Sequence, residues 1–218
     1  MKENKVNLNL LPISEYTGVN DLDPIRYYRL PIFGKLYRGR VELCLSQCKG
    51  GENILEIGFG TGLTFLNLKD QYKKIYGLDL TADVQAITEL FDRHEVKTEL
   101  MNGSVLDMPY EDNTFDTILL ISILEHLKPE EQETAFKEMQ RVLKPGGQVV
   151  YGVPIERPLM VFLFKVLGHD IRKEHFSTEG DVSLAAGKFL KPVNLINMKG
   201  IPSFTGAVYQ VGHFVKAG

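Results

Sequence analysis

Residues 54–62, Ile54-Leu55-Glu56-Ile57-Gly58-Phe59-Gly60-Thr61-Gly62, constrain the fold more than any other stretch of the chain. An apolar run that meets an acid and then glycine at alternate positions reads as a buried parallel strand ending in a tight turn, with a helix behind it. Glycines in such a turn adopt backbone angles that a Cβ forbids, and they let the main chain come close to a ligand. A dinucleotide fold would carry G-x-G-x-x-G. Here Leu63 follows Gly62, so the spacing is G-x-G-x-G. The first helix is expected over Leu63–Lys69 with Thr61 near its N-cap, its free N–H groups suited to a carboxylate.

The rest of the chain repeats the alternation of strand and helix. Lys74-Ile75-Tyr76-Gly77-Leu78-Asp79-Leu80 is a second short strand ending in an acid. An adjacent parallel strand would bring Asp79 to ribose hydroxyls, which a carboxylate can accept in pairs. The bland reading of Asp79 is a helix N-cap or surface acid, but Thr81 is available as the cap for a helix carrying Val84, Ile87, Leu90 and Phe91. A third strand fits Thr98–Met101. A fourth, Thr117–Ser122, is apolar throughout in the manner of a strand buried on both faces, and runs on into Ile123-Leu124-Glu125-His126-Leu127. After Pro129 comes an amphipathic helix through Ala135, Phe136, Met139, Val142 and Leu143, then the turn Lys144-Pro145-Gly146-Gly147 and a fifth strand over Gln148–Val153.

The acid two places before the first glycine, the alternate-glycine spacing and the K-P-G-G turn with its flanking helix and strand are similar to the motifs of the class I S-adenosylmethionine-dependent methyltransferases, of the small-molecule, quinone-biosynthesis-like type. The resemblance covers roughly Glu52 to Pro154. It implies a Rossmann-like α/β fold: a three-layer α-β-α sandwich on a mostly parallel seven-stranded sheet with an antiparallel C-terminal strand. It also implies S-adenosyl-L-methionine as cofactor, S-adenosyl-L-homocysteine as product, and cofactor contacts from Glu56, Gly58, Gly60, Gly62, Asp79, Leu80, Ser104, Val105 and Ser122. Ser104 stands where the family often has an acid, and a hydroxyl is a weaker acceptor for the adenine amino group than a carboxylate.

A chain of 218 residues with 44% hydrophobic content suits one domain. It divides into an N-terminal arm and helical cover (1–50), a cofactor-binding core (51–154), a lid or acceptor segment (155–190) and closing strands (191–218). In the cover, Leu36, Tyr37, Val41 and Leu45 recur at helical spacing. Its cluster Arg26, Tyr27, Tyr28, Arg29, Tyr37, Arg38 and Arg40 reads as an amphipathic cover on the sheet or as a flap over the cofactor. The net charge of −3 comes without a basic stripe, so no nucleic-acid partner is expected. No stretch has the roughly 18 apolar residues of a membrane span or the core of a signal peptide, and a cytoplasmic protein, monomer or homodimer, is expected. The segment 158–167, apolar on every side, is a core or lid helix, an acceptor or peripheral membrane contact, or a subunit interface.

Cys44 and Cys48 form neither a redox pair nor a zinc set, and no metal ligands are expected; His169 and His175 lack ligand spacing. The leading function is transfer of a methyl group to a small-molecule acceptor with an apolar part. A non-catalytic binder of the cofactor or its product, or an NAD(P)-binding enzyme, are the alternatives. His126 is the candidate general base, against a role in capping or packing the next helix.

Overall fold

The computed structural model describes residues 6–16, 25, 28, 30, 31, 33–155, 175–200 and 206–218. In chain order the elements are α1 (Phe33–Gln47), β1 (Gly51–Ile57), α2 (Phe65–Leu68), β2 (Tyr72–Asp79), α3 (Val84–Arg93), β3 (Thr98–Asn102), β4 (Phe115–Ile121), α4 (Pro129–Val142), β5 (Leu143–Pro154), α5 (Glu179–Phe189), β6 (Lys191–Lys199) and β7 (Ala207–Val215). Seven strands form one sheet in the order β3-β2-β1-β4-β5-β7-β6. β7 alone runs antiparallel to its neighbours β5 and β6, as the sequence predicts for the C-terminal strands.

The central strands are apolar on both faces because both are covered. Ile54, Ile75, Leu119 and Val150 pack with Val41, Leu45, Phe65, Leu90 and Phe91 from α1, α2 and α3. Their sequence neighbours Leu55, Ile118, Leu120, Val149 and Tyr151 pack on the other face with Phe136, Met139, Val142, Val182 and Ala186 from α4 and α5. Successive side chains of a strand alternate faces, so an unbroken apolar run is what a three-layer core requires.

Several boundaries differ from the sequence reading. The helix behind the glycine turn is a single turn beginning at Phe65, with Thr64 rather than Thr61 at its N-cap position. The Thr64 hydroxyl points elsewhere, donating to Glu56. Helix α3 is capped not by Thr81 but by Asp83, whose carboxylate accepts from the Ala86 N–H at 3.0 Å. Strand β5 starts at Leu143, ahead of the Pro145-Gly146-Gly147 stretch, because Leu143 pairs with Phe115 before a bulge resets the register to Thr117 and Gln148. Gly146 N–H and Gly147 C=O are then tied to Lys216.

The N-terminal arm is irregular but docked. Leu8, Leu11 and Tyr16 are buried. Leu8 N–H donates to Glu42, Arg38 donates to the Leu8 carbonyl, and Asn67 exchanges two hydrogen bonds with Asn7 and Asn9. Cys44 and Cys48 are free thiols, and burial pushes Cys48 up to about 12, which leaves it inert. The apolar segment 158–167 and His169 lie outside the described residues. Among those described, no helix is long and apolar enough to cross a membrane.

Candidate active site

Strand order reverses between β1 and β4, since the chain first builds outward through β2 and β3 and then returns to the other side of β1. Ligands of open α/β sheets bind outside the carboxyl ends of the strands at such a reversal. The glycine turn leaves β1 at this point. Gly58, Gly60 and Gly62 all have positive φ, at 70°, 51° and 71°. A Cβ on Gly58 would lie 2.1 Å from the Ile123 side chain, and one on Gly62 would lie 2.7 Å from Phe65 and Phe91. Two of the three glycines are therefore demanded by packing as well as by backbone angle, a role that ligand approach does not account for.

Glu56 sits under the turn and is 4% exposed. Burial pushes its carboxyl up to about 8; the Thr64 hydroxyl bond pulls the other way, and the neighbouring Asp79 charge adds to the rise. At neutral pH it is thus mostly a neutral acid. Asp79, at the end of β2, accepts from Gly60 N–H at 3.0 Å with one oxygen and from Thr81 and Ala82 N–H at 2.9 and 3.0 Å with the other. It bonds the two strand ends to each other. Three of its acceptor positions are thus engaged by backbone. Leu80 beside it is 73% exposed, an apolar side chain with no cover at the mouth of the turn. Ser104 turns inward on its own loop: its hydroxyl accepts from Leu106 N–H, and Val105 is buried in the core.

Across the reversal, β4 ends at a strained residue. Ser122 has φ 59°, a conformation that a non-glycine residue adopts at a cost of about 1–3 kcal/mol and that recurs at functional sites. Its hydroxyl lies 3.0 Å from the Tyr209 hydroxyl and 3.4 Å from an Arg40 nitrogen. The Arg40 guanidinium stacks 4.1 Å from the Tyr37 ring centre and 5.9 Å from that of Tyr209. Among the described residues its Nε has no hydrogen-bond partner although buried. The sequence reading weighed Arg40 and Tyr37 only as cover or flap, and it missed Tyr209 and Thr64. Tyr209 carried no signal, since β7 is far along the chain and reaches β4 only across β5.

Two residues beyond Ser122 a 3-10 turn, Leu124–His126, begins and carries Glu125 and His126. The His126 ring lies 5.2 Å from that of His175. Among the described residues, Glu125, His126 and His175 form a group whose ligand-type atoms all lie within 4.8 Å of one another. The sequence reading foresaw no such cluster, because the two histidines come from separate segments.

The methyltransferase-domain family matches residues 55–151, from the middle of β1 to the middle of β5. A demethylmenaquinone methyltransferase of Bacillus licheniformis is 35% identical over 103 residues, 46% of this chain and 44% of that one. A norajmaline N-methyltransferase of Rauvolfia serpentina is 34% identical over 107 residues, 47% of this chain and 36% of that one. The chain spans about half the length, or less, of these curated relatives. The N-methyltransferase NodS from Bradyrhizobium japonicum, solved with S-adenosyl-L-homocysteine, superposes with a TM-score of 0.67 at 21% identity, covering 93% of this chain and 96% of that one. The [4+2]-cyclase SpnF reaches the same TM-score at 16% identity, covering 83% and 82%. The shared fold thus extends well beyond the segment alike in sequence.

Proposed function

We propose that this chain, whose residues 55–151 match the methyltransferase-domain family, is a class I S-adenosylmethionine-dependent methyltransferase and transfers the methyl group of S-adenosyl-L-methionine to a small-molecule acceptor with an apolar part. The observation that carries the reading is the positive-φ glycine turn bonded through Gly60 N–H to Asp79 at the reversal of strand order. The residues present fit the cofactor. Glu56 is a buried acid for an ammonium group, Asp79 an acceptor for ribose, and Leu80 an uncovered apolar platform for a flat base. When bound, the cofactor supplies a methyl group on a sulfonium that is already a good leaving group.

The chain's own task is alignment, which can supply about 7–11 kcal/mol of barrier reduction. The acceptor's place is the opposite wall: the Ser122 and Tyr209 hydroxyls and the Arg40 guanidinium suit an acceptor bearing a hydroxyl or other oxygen. A hydroxylated ring with an apolar tail is the acceptor class that the quinone-type relatives suggest. Where the acceptor has to lose a proton, we assign His126 as its base; its side chain is exposed one turn beyond β4.

Calorimetry with S-adenosyl-L-homocysteine, with NADH as control, tests cofactor choice. A tritiated-methyl screen against quinol and other phenolic acceptors tests transfer. Cofactor binding without turnover on any acceptor supports the alternative of a non-catalytic binder, and preference for NADH refutes both. His126→Gln should lower turnover at least about a hundredfold; near-normal turnover would reduce its role to packing.

A further inference from the structure

We infer that Glu125, His126 and His175 form a binding site for a divalent transition-metal cation, of the zinc or manganese kind, at the carboxyl end of β4. Two imidazoles and one carboxylate are a donor set that such ions take, and three protein ligands leave positions open for water or substrate. Their ligand-type atoms lie within 4.8 Å of one another. Bonds of about 2.0–2.2 Å place tetrahedral ligand atoms roughly 3.3–3.5 Å apart, so the side chains need to close by little more than about 1 Å. Glu125 is buried, His175 half-buried and His126 exposed, so the group opens to solvent on the His126 side.

The grouping is built by the fold rather than by chance proximity of surface side chains. The Phe176 N–H donates to the Glu125 carbonyl at 2.8 Å, and the Ser177 hydroxyl donates to the Leu127 carbonyl at 2.7 Å. These two bonds zip the strip that carries His175 onto the turn that carries the other two ligands. Gln132 from α4 fixes the same turn by donating to the Leu124 carbonyl at 3.0 Å. On the far side the strip is stopped at once by Thr178, the N-cap of α5, which accepts from Asp181 N–H. The turn and the strip that carry the three ligands are thus fixed to each other and to α4.

The consequence for chemistry rests on the methyl-transfer reading. An acceptor hydroxyl bound to the cation becomes more acidic and loses its proton to solvent. The freed oxygen lone pair then forms the bond to the methyl carbon while the carbon–sulfur bond breaks. Its electron pair returns to sulfur, leaving the neutral thioether. With a cation bound, His126 is a ligand and no longer the base.

The test uses the full chain without a histidine tag. Zinc and manganese are titrated separately by calorimetry, with bound metal counted by elemental analysis after dialysis. The expected result is one cation per chain, weakened at least tenfold in His175→Ala and in His126→Ala while melting curves show both variants folded. Glu125→Gln is set aside as the primary variant because its buried side chain risks misfolding. Absence of binding at millimolar metal, or equal affinity in wild type and both histidine variants, overturns the site. Binding of S-adenosyl-L-homocysteine, measured on the same wild-type sample, separates failure of the metal site from failure of the methyltransferase reading.

Discussion

Replacing Glu56 by glutamine should make the protein more stable at alkaline pH and weaken its hold on the cofactor. The carboxyl is 4% exposed, and burial raises it from 4.5 to about 8. Its folded value lies above its unfolded one, so between pH 4.5 and 8 the folded chain holds a proton that the unfolded chain has released. Stability therefore falls as pH rises through that window, by about 1.4 kcal/mol for each pH unit. The whole interval is worth at most about 4–5 kcal/mol, and relaxation of the site will reduce this. Glutamine keeps the shape, stays neutral and can still accept the Thr64 bond. The wild-type and Glu56→Gln proteins should thus be within about 1 kcal/mol of each other near pH 5, with the variant ahead by about 2–4 kcal/mol near pH 8.5. Urea denaturation of both proteins across pH 5–9, read as the difference between them, isolates this one group. Parallel stability curves would refute the argument, since they would mean that Glu56 is ionised in the folded protein. The same group links protons to ligand: a cofactor ammonium arriving beside Glu56 should expel up to one proton near pH 7. Calorimetry of S-adenosyl-L-homocysteine in two buffers of different ionisation enthalpy measures that release, and Glu56→Gln should abolish it.

Asp79→Ala removes the acceptor for three backbone N–H groups and for the proposed ribose contact. Cofactor-product affinity should fall at least tenfold, about 1.5–3 kcal/mol, with a lower melting temperature; unchanged affinity in a folded variant would take ribose away from it. Gly62→Ala puts a Cβ 2.7 Å from Phe65 and Phe91 at a positive φ. It should cost about 2–4 kcal/mol in urea denaturation, and a loss under about 1 kcal/mol would show that the aromatic pair yields. Burial, with Lys49 nearby, pushes His213 down to about 4. The folded chain then resists a proton that the unfolded chain takes up below pH 6.5, so stability is lost as pH falls from 6.5 towards 4. His213→Gln should flatten that slope, and an unaltered slope would mean that another group causes it.

The elements legible in the sequence were those governed by local rules. Glycine spacing after an apolar run gave β1 and its turn, and alternating strand and helix periods gave the layered sheet. Each depends on which residues can bury, bend or repeat within a few positions, and that information is local. Lone side chains that met only through the fold could not be read. Asp79 bridging two strand ends requires the parallel pairing of β1 with β2. Ser122 meets Tyr209 because β7 inserts beside β5, and Glu125 and His126 meet His175 because backbone bonds bring in a strip from 50 residues further along. Sequence alone determined the scaffold and the glycine turn that leaves β1, because periodicity and backbone sterics act on neighbours. The tertiary structure decided which polar groups share a site, because hydrogen bonds and ligand geometry depend on distances that only the assembled sheet sets.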